Sequence, residues 1–189
     1  MYKDKQEITE HIKDKAKKVK LVIFDMDGVL TNGLCSLTAS GEISKTFNYQ
    51  DGLGIALLQA NKIDVAIITG DQSGVVDERA KRLKIKYVYK GRISKLSAYK
   101  DLKGKLNLND EQIAYMGDDI IDIPVMKEVG LSIAVQNAQN AVKEIADYVT
   151  PLYGGEGAAR ELCDLILSFK KLDPEALVET LEKEISSCK

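Results

Sequence analysis

Lys20-Leu21-Val22-Ile23-Phe24-Asp25-Met26-Asp27-Gly28 is the stretch on which the fold turns. An unbroken apolar run with no alternation reads as a strand buried on both faces. The aspartates and glycine that close it read as a turn at the strand's carboxyl end. Similar runs recur at 65–69, 85–89, 113–117 and 131–135, with a last short one at 148–150. Helical patterns lie between them at about 52–61, 73–83, 94–106, 120–128 and 139–146. Such alternation predicts an α/β fold, a Rossmann-like parallel sheet flanked by helices.

Three segments stand outside that rhythm. Residues 2–18 place Ile8, Ile12 and Ala16 four apart, the spacing of a short amphipathic helix. Residues 34–48 alternate apolar and polar on either side of Ala39-Ser40-Gly41, which reads as a β-hairpin inserted after the first strand. A helix near 157–170 precedes a second stretch at 174–186, with Pro174 suited to its first turn. The chain thus reads as one domain over 1–172, with the hairpin as an insert and a helical extension over 173–189. There is no internal repeat and no low-complexity segment.

Composition narrows the function classes. The 189 residues carry 27 basic and 29 acidic side chains, a net charge of −2 that argues against a nucleic-acid partner. The three cysteines, Cys35, Cys163 and Cys188, form no CxxC pair, so neither a disulfide framework nor a zinc site is expected, and a cytoplasmic setting fits. The charged first twenty residues have no apolar core of a signal peptide, and no run is long enough to span a bilayer. His11 is the only histidine and lies in the N-terminal helical stretch, so histidine-based and serine-triad mechanisms have no candidate base.

In an open parallel sheet, ligands bind beyond the carboxyl ends of the strands. Here those ends carry Asp25 and Asp27, then Thr69-Gly70-Asp71, then Lys95 after a short loop, then Gly117-Asp118-Asp119 with Asp122 one turn on. Converging carboxylates make a hard oxygen cage suited to Mg²⁺, which neutralises phosphate oxygens the carboxylates would repel. Thr69 offers a hydroxyl and Lys95 a point charge to a phosphoryl group. A carboxylate in line with phosphorus attacks it, and a second, two residues on, relays the proton. Each piece has a plainer reading alone: a turn for DxDG, a helix cap for Asp118 or Asp119, a solvated surface lysine for Lys95. All of them at successive strand ends point to a catalytic site.

These residues resemble the motifs of the haloacid dehalogenase (HAD) superfamily: DxDG[VT][LT] at Asp25–Leu30, the strand-end Thr69, Lys95, and GDDxxD at Gly117–Asp122. The resemblance covers about 20–170, and Asp27 marks its phosphatase branch. A closer resemblance is to the small tetrameric phosphatases of 3-deoxy-D-manno-octulosonate (KDO) 8-phosphate. It rests on the hairpin in place of a cap domain, on Phe47-Asn48-Tyr49-Gln50-Asp51-Gly52-Leu53-Gly54-Ile55, and on Gly154-Gly155-Glu156-Gly157-Ala158-Ala159-Arg160-Glu161. It implies a HAD-like fold, a role in lipopolysaccharide sugar biosynthesis, and a homotetramer whose hairpins form a central barrel, with a neighbouring subunit helping to cover each site. It further implies Asp25 as nucleophile, Asp27 as acid/base, and magnesium held by the Asp25 carboxylate, the Asp27 carbonyl and Asp118. Asp119 and Asp122 would support that shell or orient Lys95. Asn48, Asp51, Gly70 and Arg160 are the substrate contacts it suggests.

One departure bears on the substrate. Many octulosonate phosphatases carry Arg after the Thr-Gly, where this chain has Asp71. Phosphatases of nine-carbon keto-acid 9-phosphates have an acidic residue there and basic residues along the next helix, a part open to Arg79 and Arg82. The eight- and nine-carbon readings both stand at this level. So do two non-enzymatic ones, a receiver-like phosphoacceptor and an oligomerisation module. The glycines of Tyr153–Gly157 match no nucleotide loop and read as a mobile segment closing over substrate.

Overall fold

The computed structural model describes residues 9–170 and, beyond them, 176, 178, 179 and 181–183. Six parallel strands form its main sheet: β1 (Leu21–Phe24), β4 (Asp64–Ile68), β5 (Tyr87–Tyr89), β6 (Ile113–Gly117), β7 (Leu131–Ala134) and β8 (Tyr148–Val149). Their spatial order is β5-β4-β1-β6-β7-β8, and every pairing is parallel. The expected α/β class and its flanking helices are both present. β1, β6 and β7 are buried along their whole length, which is why they read as unbroken apolar runs. β5, at the edge, is only half-buried.

The order places the site. From β1 the chain builds outward through β4 to β5, then returns to lay β6 against the other side of β1. The order reverses there, so a crevice opens between the carboxyl ends of β1 and β6, where open α/β sheets bind ligands. Leu21 to Phe24 run in register with Ile113 to Met116. The Asp25 N–H still donates to the Met116 carbonyl at 3.0 Å, so the acidic residue after β1 sits beside the one after β6.

Helices cover the faces. α1 (Glu10–Lys18) is capped by Thr9 and buries Ile12 and Ala16; residues 2–8 of the expected helix lie outside the described residues. α2 (Tyr49–Ala60) begins three residues before the periodicity suggested, because Asn48 caps it by accepting from the Gln50 N–H at 2.7 Å. α2 packs chiefly on α7 (Ala158–Phe169). The remaining helices are α3 (Gly74–Arg82), α4 (Lys95–Leu106), the short α5 (Ile123–Met126) and α6 (Asn140–Ile145). Between β1 and α2, β2 (Ser36–Leu37) and β3 (Ile43–Ser44) pair as a small antiparallel hairpin with exposed side chains. Of the 174–186 stretch, the described residues are helical, and the half-buried Leu181 packs against the core; the rest lies outside the described residues. Among the described residues no helix is long and apolar enough to cross a membrane.

Candidate active site

Phe24 ends β1, and the next residues make a tight turn in which the Leu30 and Thr31 N–H groups donate to the Met26 carbonyl. Gly28 makes that turn possible. Its φ is +86°, and a Cβ there would fall 2.1 Å from an Asp118 carboxylate oxygen, so both conformation and space require glycine. Thr31 is buried inside the turn, where its Oγ accepts from the N–H groups of Gly28 and Gly33. Asp25 is buried at the turn's entrance, whereas the Asp27 side chain is 40% exposed at its mouth.

Lys95 opens α4, yet its side chain is fully buried beneath the rim. Its Nζ donates to Asp25 Oδ1 at 2.7 Å and to Asp122 Oδ1 at 2.6 Å. Asp122 Oδ1 also accepts from the Tyr115 hydroxyl at 2.6 Å. Asp122 Oδ2 accepts from the N–H groups of Asp118 at 2.9 Å and Asp119 at 3.2 Å. Asp122 is therefore a saturated anchor that holds Lys95 and the loop after β6. Asp119 plays a lesser part than expected: its exposed carboxylate accepts from the Ile120 N–H, and only its backbone reaches the anchor.

Asp25, Asp118 and Asp122 each bring a carboxylate oxygen to within 4.8 Å of the others. With Asp122 saturated, the free donors are Asp25 and Asp118, and Asp118 Oδ1 is buried without a hydrogen-bond partner. Burial, then the negative charge of Asp25, Asp122 and Asp119, pushes the Asp118 carboxyl up to about 8. Burial likewise lifts Asp25 to about 6, against the pull of the Lys95 charge. Two carboxylates that resist joint ionisation and leave an oxygen orphaned are what a small dication relieves. The all-oxygen donor set fits Mg²⁺.

On the other flank, Thr69 is buried at the end of β4. Its Oγ accepts from the Asp71 N–H at 3.1 Å, which leaves its own proton free to donate elsewhere. Asp71 accepts from the Ser73 N–H and hydroxyl, each at 2.7 Å. It also meets a residue that the sequence reading passed over. Lys45, just after β3, donates to both oxygens of Asp27 at 2.7 Å and to Asp71 Oδ2 at 2.6 Å. Burial alone would lower the Lys45 ammonium, but the two carboxylates outweigh it and hold it above its usual value. No motif announces this lysine, since the polar alternation of the insert marks no one position as inward-facing.

The other expected substrate contacts are placed differently. Asn48 caps α2, and its carbonyl accepts from Arg79 at 3.1 Å. Asp51 is wholly buried and accepts from the Arg160 N–H at 2.8 Å, so it joins α2 to the start of α7 and does not face the rim. Arg79 lies over the Phe47 ring, 4.6 Å from its centroid. Arg82 sits at the far end of α3, exposed and paired with Glu78 at 2.9 Å. The Arg160 side chain lies along its own helix, paired with Asp164 at 2.8 Å. Asp25, Asp118, Asp122 and Lys95 are thus brought together, and Asp27, Asp71 and Lys45 form a second group. Asp51 and Arg82 are not brought into either group: Asp51 is buried between α2 and the start of α7 with its Oδ2 unpartnered, and Arg82 is carried away by its helix.

The glycine segment packs against the turn after β1 in this structure. Gly154 lies so close to the first turn that a Cβ would fall 1.7 Å from the Gly28 carbonyl oxygen. Asn137 fastens the two together, donating to Gly28 O at 3.1 Å and accepting from the Gly154 N–H at 2.7 Å. The Gly155 N–H donates to the Val29 carbonyl. These glycines serve close backbone packing where the sequence suggested mobility.

A model of the haloacid dehalogenase-like hydrolases matches residues 80–162. The chain is 46% identical over 160 residues, 85% of each chain, to the KDO 8-phosphate phosphatase of Salmonella typhi. It is 48% identical over 153 residues, 81% of each chain, to that of Escherichia coli strain K12. The solved structure of the Yersinia pestis phosphatase superimposes with a TM-score of 0.85 at 45% identity, over 86% of this chain and 88% of that one. The Moraxella catarrhalis phosphatase, solved with a magnesium ion, a phosphate ion and KDO, gives 0.85 at 36% identity, over 96% and 99%.

Proposed function

The chain belongs to the haloacid dehalogenase-like hydrolases, in the branch of the KDO 8-phosphate phosphatases, and on that premise we propose how its residues hydrolyse 3-deoxy-D-manno-octulosonate 8-phosphate to KDO and inorganic phosphate, a step of lipopolysaccharide sugar biosynthesis. The observation that carries the reading is the Asp25–Lys95–Asp122 network beside the orphaned Asp118 oxygen, at the sheet's switch point. Magnesium, held by the Asp25 and Asp118 carboxylates and the Asp27 carbonyl, supplies charge neutralisation to the phosphoryl oxygens.

Asp25 is the nucleophile. Lys95 on Oδ1 fixes its rotamer and balances its charge, which leaves Oδ2 for the phosphorus. As the aspartyl–phosphorus bond forms, the bond from phosphorus to the sugar oxygen breaks, and Asp27 gives that oxygen a proton. Asp27 then takes a proton from water, the water oxygen attacks phosphorus, and inorganic phosphate leaves as the Asp25 carboxylate is restored. Thr69 donates its free hydroxyl proton to a phosphoryl oxygen throughout.

The eight-carbon substrate is the better supported one. The acidic residue that suggested a nine-carbon sugar, Asp71, has its carboxylate taken up by Lys45 and Ser73. A homotetramer joined through its hairpins is supported by the exposed Leu34, Leu37 and Ile43, with Arg79 and Arg160 as the remaining candidates for substrate contact. A cytoplasmic location agrees with the wide cysteine spacing. The test is phosphate release from KDO 8-phosphate and from a nine-carbon keto-acid 9-phosphate, side by side, with Mg²⁺. Faster release from the eight-carbon ester is expected; a preference for the nine-carbon ester overturns the substrate, and a phosphoryl group retained without turnover overturns the hydrolase.

A further inference from the structure

We propose that Lys45 is a positioning residue for Asp27, which makes the small hairpin a working part of the site; this rests on the acid/base role of Asp27 given above. The hairpin is otherwise solvent-facing: Ser36, Leu37, Ile43 and Ser44 are all exposed. The Lys45 side chain is the exception, only 6% exposed. Burying a long, flexible cation loses rotamer freedom and hydration, so it persists only where partners replace both. Here the replacement is complete. Three ammonium donors meet three carboxylate oxygens, both of Asp27 and one of Asp71. Asp71 is itself fixed by the Ser73 N–H and hydroxyl.

Asp27 has little else to orient it. Its side chain is 40% exposed, and within the turn it accepts only a long contact, 3.4 Å from the Thr31 hydroxyl. A general acid works only within hydrogen-bond reach of the atom it protonates. Removing Lys45 leaves the Asp27 carboxylate free to rotate into solvent. The bridge joins three segments, the turn after β1, the end of β3 and the exit of β4, so the register of the hairpin sets the aim of the acid/base. Lys95 does the corresponding work for the nucleophile from beneath the sheet rim.

The test uses leaving groups. A p-nitrophenolate needs no proton to depart, so formation of the aspartyl-phosphate from p-nitrophenyl phosphate does not call on Asp27, whereas its hydrolysis does. Lys45→Met should therefore show a burst of about one equivalent of p-nitrophenolate per site in stopped flow, followed by steady-state turnover slowed roughly 10- to 100-fold, the range of a misplaced acid/base. With KDO 8-phosphate both steps slow, so kcat falls by about the same factor with no burst of KDO. Lys45→Arg, which preserves the bridging charge, should recover to within about 10-fold of wild type. The proposal is overturned if Lys45→Met turns over both esters within about 3-fold of wild type, or slows both without a burst. Should Lys45→Met fail to fold, Asp71→Asn removes only the far anchor, and the same burst with a smaller slowing is expected; its absence overturns the proposal equally. Failure of the underlying function looks different: wild-type protein would release no phosphate from KDO 8-phosphate.

Discussion

The two flanks of the rim are built on different principles. On the β1/β6 flank, Asp25, Lys95 and Asp122 are buried, held at 2.6–2.7 Å and backed by the Tyr115 hydroxyl and two backbone amides. On the hairpin flank, Asp27, Lys45 and Asp71 bridge three loops, and Asp27 stays 40% exposed. In the proposed mechanism the first set serves the phosphate end, which every substrate of such a site shares. The second serves the leaving group, which differs from substrate to substrate. A buried network carries stability and chemistry together, whereas a bridge whose Asp27 end is open to solvent carries chemistry with less stability. Substitutions on the two flanks should separate accordingly.

The largest effect belongs to Asp25→Asn. The amide retains the shape but not the nucleophilicity, so kcat should fall by roughly 10³-fold or more, with the unfolding midpoint little changed. Phosphate release within tenfold of wild type would remove Asp25 from the nucleophile's role. Next comes Asp122→Ala. It leaves the buried Lys95 ammonium with Asp25 alone and strips the Tyr115 hydroxyl and two amides of their acceptor, and breaking a buried charge pair from one side costs about 3–5 kcal/mol. Urea unfolding should show that loss. A change below about 1 kcal/mol would mean that the flank is not the stabilising one.

Those same residues show why the sequence was legible where it was. Asp25, Lys95 and Asp118 each follow a strand or open a helix, so strand–helix alternation alone assigns them to one rim. The parallel sheet, its flanking helices and the convergence of Asp25, Asp118 and Asp122 follow from that periodicity. Pairwise contacts of loops do not. Lys45 sits in a hairpin whose polar alternation says nothing about which side chain turns inward. Asp51 is a substrate contact on the resemblance alone, and only the packing of α2 on α7 shows it buried. The glycines of 154–157 read as freedom, yet Gly154 and Gly155 permit an approach that a single Cβ would block. Local pattern specifies elements and strand ends; which loop atoms touch depends on packing between separate segments, from Lys45 on Asp27 to Asn137 on Gly28.

A metal titration sharpens the comparison at intermediate size. A ligand that binds only the folded state stabilises it by about 2.7 kcal/mol at 100 times its Kd, so Mg²⁺ should raise the melting temperature of wild-type protein by roughly 5–10 °C. Asp118→Asn removes the negative charge and one carboxylate oxygen and should lose most of that rise, and Asp71→Asn, on the other flank, should keep it. Chelation should abolish turnover reversibly. Equal shifts in the two variants would show that the cation does not sit between Asp25 and Asp118.

The smallest effect is a pH dependence on the hairpin flank. Burial alone would raise Asp71, but the hydrogen bonds from Lys45 and Ser73 prevail and hold it at about 2. Its folded value thus lies below the ordinary carboxylate value of about 3.9. The bridge therefore contributes stability that is present above about pH 4 and lost as the pH falls towards 2. Solvent screening at this open site limits the contribution to about 1 kcal/mol or less. The difference in urea stability between wild type and Asp71→Asn should be largest near neutral pH and shrink steadily below pH 4. A difference that stays constant across that range would mean that Asp71 acts there as a neutral hydrogen-bond acceptor, and the contrast between the two flanks would then rest on geometry and not on charge.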